Sequence, residues 1–303
     1  MKNSLLLFAV LLTTSSNACD VCGGISSTTS FGILAPSRFH IFTLKSELRS
    51  FTSYLHGIQH SKEFILRSEI TARFQLHDRL NMFVSLPFQS AWQRDDFGAS
   101  KIQGLGDVQT VINGVILDRR DSLGQVFRFF SVGGGLKYPT GKSVNYPDPQ
   151  KNMYPGTGSF DLLLLTNYVH RWSTKWSSQL EYSHSLKGKD KEGFRHGQSG
   201  SLALHAIWSE RYRNAGILVL AGTQFDWNLP GTYHGAPLYS TYSEGWQLAI
   251  HSSLNVLYNN WMVSVGARIP IVQYWFAGNV KQQPAINASL NYLITKKKKN
   301  EKK

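Results

Sequence analysis

From about residue 38 onward, apolar and polar positions alternate with period two in about twelve segments of roughly 10 to 16 residues, divided by turn-forming residues. In one late segment Trp246, Leu248, Ile250, Leu254, Val256 and Tyr258 fall on one face, and Gln247, Ala249, His251, Ser253 and Asn255 on the other. The next sets Trp261, Val263, Val265, Ala267, Ile269 and Ile271 against Ser264, Gly266 and Arg268. The last sets Ile286, Ala288, Leu290, Tyr292 and Ile294 against Asn287, Ser289 and Asn291. An early segment repeats the scheme, with Phe64, Leu66, Ile70, Ala72, Phe74 and Leu76 opposite Arg67, Glu69, Thr71, Arg73 and Gln75. The pattern predicts long β-strands, each with one apolar and one polar face.

A soluble sandwich has the same period, so strand length and connections decide between the two. Strands of globular proteins average about five or six residues, whereas a tilted strand crossing a bilayer needs about 9 to 11. Tight turns are predicted at His77, Asp78 and Arg79, at 118–124, around 172–174, at 210–214 and at Asn259 and Asn260. Between them come links rich in Gly, Pro, Asn, Asp and Tyr, at 53–62, 94–103, 140–156, 188–198, 228–244 and 277–283. Short turns on one rim and long loops on the other are the layout of an outer-membrane barrel. The expected fold is all-β, a transmembrane antiparallel β-barrel of about 12 strands over residues 38–295. Trp92, Trp172, Trp208, Trp227, Trp246, Trp261, Tyr274 and Trp275 fall near strand ends, where interfacial aromatic girdles are expected.

Composition agrees: 17% of residues are charged and 13% aromatic, against about 25% charged in soluble domains. The net charge of +13 would suggest nucleic acid, but the Lys-rich tail at 296–303 contributes +5 and Lys2 another, leaving +7 scattered over the body. No basic patch with stacking aromatics stands out, which excludes nucleic acid as the expected partner.

At the N-terminus, Lys2 precedes the apolar run Leu5, Leu6, Leu7, Phe8, Ala9, Val10, Leu11 and Leu12, and Ser16 and Ala18 suit signal-peptidase pockets. Residues 1–18 read as a signal peptide for export, and 19–37 as a periplasmic extension. That extension holds both cysteines, Cys19 and Cys22. The alternatives are a local disulfide, acylation of Cys19, or metal binding through the pair, which supplies only half of a tetrahedral shell.

Three glycine-rich blocks stand out: Gly104, Leu105, Gly106 and Asp107; Gly133 to Lys142, reading Gly-Gly-Gly-Leu-Lys-Tyr-Pro-Thr-Gly-Lys; and Gly156, Thr157, Gly158, Ser159, Phe160 and Asp161. Their order and spacing, over roughly residues 104–197, resemble the meta-pathway phenol-degradation family of outer-membrane proteins. Members of that family are regarded as channels or transporters, some encoded beside enzymes of aromatic degradation. The resemblance implies a bacterial outer-membrane location in a Gram-negative cell and a small aromatic or apolar solute. The glycines and the Pro139 turn are expected to serve architecture.

Polar-face charges are the candidates for a solute path: Arg67, Glu69, Arg73, Arg128, Glu181, Asp226 and Arg268. In a narrow barrel they either pair and fill the lumen or leave a field that selects solutes. No enzyme is expected. The outer-membrane phospholipase uses His, Ser and Asn on its outer wall, but His251, Ser253 and Asn255 share the polar face here, and the adjacent His184 and Ser185 point to opposite faces. No cofactor is expected, and the expected partners are outer-membrane lipid and a small solute. Beside the channel or transporter stand a structural or partner-binding barrel with a plugged lumen, and metal handling through the Cys pair.

Overall fold

The computed structural model describes residues 39–96, 98–122, 124–146, 148, 150–238 and 244–294. The signal peptide, the extension with Cys19 and Cys22, and the Lys-rich tail lie outside the described residues. The chain forms a closed antiparallel barrel of twelve strands. They are β1 His40–Leu55, β2 Ile58–His77, β3 Leu80–Asp95, β4 in two segments Gly98–Leu105 and Gln109–Arg120, β5 Val126–Lys137, and β6 Asp161–Arg171. Then follow β7 Trp176–Leu186, β8 Ser199–Tyr212, β9 Ala215–Asn228, β10 Gly245–Tyr258, β11 Trp261–Trp275, and β12 in two segments Val280–Gln282 and Ala285–Ile294.

Each strand pairs with its sequence neighbours, and β12 closes on β1 with His40 opposite Ile294 and Leu48 opposite Ile286. Closure leaves no unpaired edge, the condition a sheet must meet where hydrocarbon offers no hydrogen-bond partner. Outward positions carry Leu44, Ile70, Val265 and Ile286, each more than half exposed. Inward positions carry buried polar residues such as Lys45, Glu47, Thr71, Gln179, Asn255 and Asn291. The core of this protein is therefore polar and its surface apolar, the reverse of a soluble sheet.

All the turns on one rim are short, at 78–79, 121–125, 172–175, 213–214 and 259–260. The other rim differs from expectation. The links at 53–62 and 94–103 are mostly strand: β1 and β2 meet at a tight turn through His56 and Gly57, with φ of 50° and 81°. β3 and β4 likewise pair up to Asp95 and Gly98. These hairpins rise beyond the apolar belt, where neither face must be greasy, so their sequence reads as loop although their backbone is sheet. Long loops on this rim run over 138–160, 187–198 and 229–244.

Two irregularities position the site. β4 breaks at residues 106–108, opposite Pro87, which has no N–H to give; Gly106 N donates to Pro87 O at 2.8 Å instead. In β11 the register with β10 slips where Ala249 faces Pro270 and Leu248 faces Val272, so Ile271 is an extra residue. That bulge reverses the faces beyond it and turns Trp275 inward, 1% exposed, instead of into the outer girdle where the sequence places it.

An outer wall of this kind needs lipid or detergent around it. Stripped of detergent, the purified chain is expected to aggregate; sedimentation with circular dichroism checks this, and a β-rich soluble monomer in plain buffer would contradict it.

Candidate functional site

The lumen is layered. At the loop end, inward side chains of six adjacent wall segments, Phe51, Ile65, Ala91, Ile102, Trp275 and Val280, form an apolar half-collar on one side of the lumen, bounded on β10 by Gln247, whose Oε1 accepts from Trp275 Nε1 at 3.2 Å. Met153 packs against it and is fully buried. It arrives on loop 138–160 within a short 3-10 turn, Lys151–Met153, flanked by Tyr154. Polar hooks hold the turn down: Gln89 Nε2 donates to Met153 O at 3.0 Å and Gln150 Nε2 to Ser100 Oγ at 2.9 Å. Lys151 Nζ reaches Val144 O at 2.6 Å and Asp190 Oδ2 at 2.9 Å, tying this loop to 187–198. Aromatic packing adds the third loop, with Tyr146 stacked on Phe194 at 5.2 Å and 4.7 Å from Tyr233.

Where loop 138–160 meets the wall, the three glycine-rich blocks come together. Gly106, Gly141 and Gly156 stack backbone on backbone: a Cβ on Gly156 would lie 2.7 Å from Gly141 C, and one on Gly141 would lie 2.6 Å from Gly106 C. Any side chain at either position would push the loop off the wall. Asp107, in the break of β4, binds the loop twice. Its Oδ1 accepts from Gly141 N at 2.9 Å, and its Oδ2 accepts from Thr157 N at 2.8 Å and Thr157 Oγ1 at 2.9 Å. Lys137 Nζ lies between Asp107 Oδ2 at 3.4 Å and Asp161 Oδ2 at 2.5 Å, and Lys187 approaches Asp161 at 3.6 Å. Two carboxylates and two ammoniums are thus buried together, so their charges balance. Below the joint a polar cavity of about 20 Å³ is lined by Arg67, Gln89, Asp107, Lys137, Tyr154 and Thr157 among others, room for about one water.

Of the sequence candidates, Arg67, Glu69, Arg73, Glu181, Asp226 and Arg268 face the lumen. Arg268 bridges Glu47 at 3.4 Å and Asp226 at 3.5 Å, and Glu47 also binds Arg49 at 2.8 Å and Lys45 at 3.5 Å. Asp226 further accepts from Gln224 and Gln247. Glu69 gathers Arg67 at 3.9 Å, Thr71 and Ser85. Arg73 stands apart near the turn rim, against Asn81 and the Phe83 ring. Glu181 accepts from Gln179 at 2.7 Å.

Arg128 does not join them. It is exposed on the outer face at the turn rim, one step out of phase with the inward Phe129, Ser131 and Lys137, and its guanidinium lies 5.3 Å from the Phe127 ring. Aromatics occupy both faces of the strand there, so alternation gives no phase. The inward side chains on its own and the two flanking strands at that level are apolar, Val115, Phe129 and Val169. Sequence reading also missed Asp107, Lys137, Thr157, Asp161 and Lys187 as one cluster; the signal was their position beside the glycines of the three blocks.

Among the described residues no group of three His, Cys, Asp or Glu is placed to hold a metal. His205 and His251 meet edge to face at 5.3 Å across Gly222, but they are only two. His251, Ser253 and Asn255 all face the lumen, away from lipid.

The arrangement so far is a lipid-facing barrel with a polar lumen and an apolar cluster at its loop end. The COG4313 outer membrane channel from Pseudomonas putida F1 aligns over 84% of this chain and 95% of its own, with a TM-score of 0.65 at 14% identity. The fold is that of an outer-membrane barrel. The β domain of the Bordetella autotransporter BrkA matches this barrel over 84% of the chain and 99% of its own, with a TM-score of 0.53 at 9% identity. At such identities the likeness is one of fold. No family model and no curated protein matches the barrel's sequence.

Asp107→Ala is expected to cost about 3 to 5 kcal/mol, the range for removing one partner of a buried ion pair, and to make loop 138–160 cleavable by protease. Asp107→Asn, which keeps an acceptor for Gly141 N or Thr157 N, is expected to recover part of the loss. Denaturation in detergent with limited proteolysis measures both.

Proposed function

We propose that this barrel is an outer-membrane channel for a small apolar or aromatic solute, with loop 138–160 as its outer gate. The observation that carries the reading is the collar of Phe51, Ile65, Ala91, Ile102, Trp275 and Val280 closed by Met153. An apolar constriction in a pore resists water and ions, because they must shed hydration to enter it. A hydrocarbon-like solute has little hydration to lose and can replace the Met153 side chain contact for contact. Methionine suits such a plug, since its unbranched thioether repacks easily. Beneath the collar, Glu47, Arg268 and Asp226 are engaged with one another, so that stretch offers an uncharged solute no strong trap.

The three glycine-rich blocks add support, because they resemble the meta-pathway phenol-degradation family and converge on the joint that holds the gate. On the same reading residues 1–18 are an export signal, the barrel resides in the outer membrane, and the protein is not an enzyme. A second reading, a structural or partner-binding barrel, is favoured by the buried side chains that crowd the lumen and by the three loops tied together above it.

The two readings separate on one substitution. In proteoliposomes, Met153→Ala is expected to raise uptake of phenol severalfold over wild type, while Met153→Asp, which puts a carboxylate in the collar, lowers it. Wild type and both variants indistinguishable from empty liposomes would favour the filled barrel.

A further inference from the structure

A row of cations stands on the outer face at the loop rim. Lys281 of β12 is opposite Thr52 of β1, Thr52 is opposite Lys62 of β2, and Lys62 is opposite Arg94 of β3. Lys101 of β4 follows, opposite Trp92, two residues below Arg94 on the same face of β3. All four cations are exposed. They lie just past the apolar belt; on β2, Phe64 and Leu66 are the next outward residues toward the membrane centre. Two are laid against aromatic rings, Lys101 Nζ 5.5 Å from Trp92 and Lys281 Nζ 5.2 Å from Tyr54. That is the level of an interfacial girdle, where long cationic side chains keep their stems on the wall and their charge in the headgroup layer.

The placement of Lys62 directly across from Arg94 calls for a reason, because like charges at facing positions of a sheet repel. Among the described residues no carboxylate forms an ion pair with any of the four. The acidic side chain next along that face, Asp96, is engaged by His60 at 3.0 Å. At the opposite rim Arg120, Arg171 and Lys175 are paired with Asp118, Asp121 and Glu210, although Arg119 and Arg128 face each other there as well. A ligand carrying concentrated negative charge would turn the repulsion at Lys62 and Arg94 into a bridge. In a membrane the anion at this depth is the lipid headgroup.

We infer that Lys62, Arg94, Lys101 and Lys281 form a binding site for the phosphate groups of a phosphorylated outer-leaflet glycolipid. The inference rests on the outer-membrane reading above and adds a site that the solute path does not use. A phosphate between Lys62 and Arg94 would join β2 to β3. Lys281 and Lys101 would extend the grip to β12 and β4, the strands that carry Val280 and Ile102 of the collar. The lipid would thus stabilise, from the outside, the tall hairpins on this side of the barrel, which stand above the belt.

The test uses the full chain in non-ionic detergent and native mass spectrometry with three probes: bis-phosphorylated lipid A, the same lipid dephosphorylated, and inorganic phosphate. Wild type is expected to retain the phosphorylated lipid and not the dephosphorylated one. Lys62→Gln with Arg94→Gln is expected to weaken retention about tenfold or more, and Lys175→Gln at the other rim to leave it unchanged. β-sheet circular dichroism and the collar's response to Met153→Ala check that the double variant is folded. Equal retention of both lipids, or a double variant that binds like wild type, would overturn the site while leaving the membrane reading intact. Inorganic phosphate bound as tightly as the lipid would overturn the lipid as its ligand. A chain that stays monomeric and β-rich without detergent would overturn both readings.

Discussion

Hydrocarbon gives a backbone N–H or C=O nothing to bond with, and every other property of this barrel follows from that constraint. A sheet in lipid must close, so β12 returns to β1 and no edge is left. Closure then fixes the use of each side chain. Within the belt the outward half of each strand meets lipid and is apolar, and the inward half is enclosed in a tube narrow enough for side chains to touch. An open sheet could shed its polar face into water; this one cannot. Its polar residues must satisfy one another, as Arg268 does between Glu47 and Asp226 and as Asn291 does with Thr43, Ser289 and Met262 O.

A polar interior conducts unless something interrupts it, and the interruption here is apolar. The collar is made of inward positions that break the polar habit of their own strands: Phe51 after Arg49, Ile65 before Arg67, Ala91 after Gln89. Met153 completes it from a loop, not from the wall. A wall residue is held by hydrogen bonds to both neighbouring strands, whereas a loop residue is held by a few hooks that can release. The barrel therefore joins a hydrogen-bonded tube to a loop-borne Met153, and the seating of that loop rests with Asp107 and the hooks to Gln89 and Ser100.

Much of the wall was legible in the sequence because period two, strand length and turn spacing are all local. The inward placement of Arg67, Glu69, Asp226 and Arg268 follows from alternation alone. The failures have one cause, a local rule carried past a point where the phase changes. One extra residue, Ile271, sends Trp275 from the expected girdle into the collar. At Arg128 neighbouring aromatics hide the phase, and the residue lies outside. The hairpins above the belt lack the apolar face that marks a strand in lipid, so they read as loops. The collar itself was out of reach, since no pairing of Met153 with Phe51 or Trp275 can be inferred from residues about a hundred positions apart without the register.

The glycine-rich blocks show how a sequence signature can be recognised before its purpose is. Read singly, each suits a strand bend or a turn. In space they are three parts of one joint: a gap in the wall opposite Pro87, a loop backbone laid into that gap, and a second pass of the same loop laid on the first. The joint needs glycine for approach, and it needs Asp107 because the loop laid into the gap brings backbone donors, Gly141 N and Thr157 N, that its carboxylate accepts. Lys137 Nζ lies 3.4 Å from that carboxylate. Wall geometry, gate position and buried charge are thus coupled at a single residue. A change in any of the three blocks would be felt at Met153, although none of them touches it.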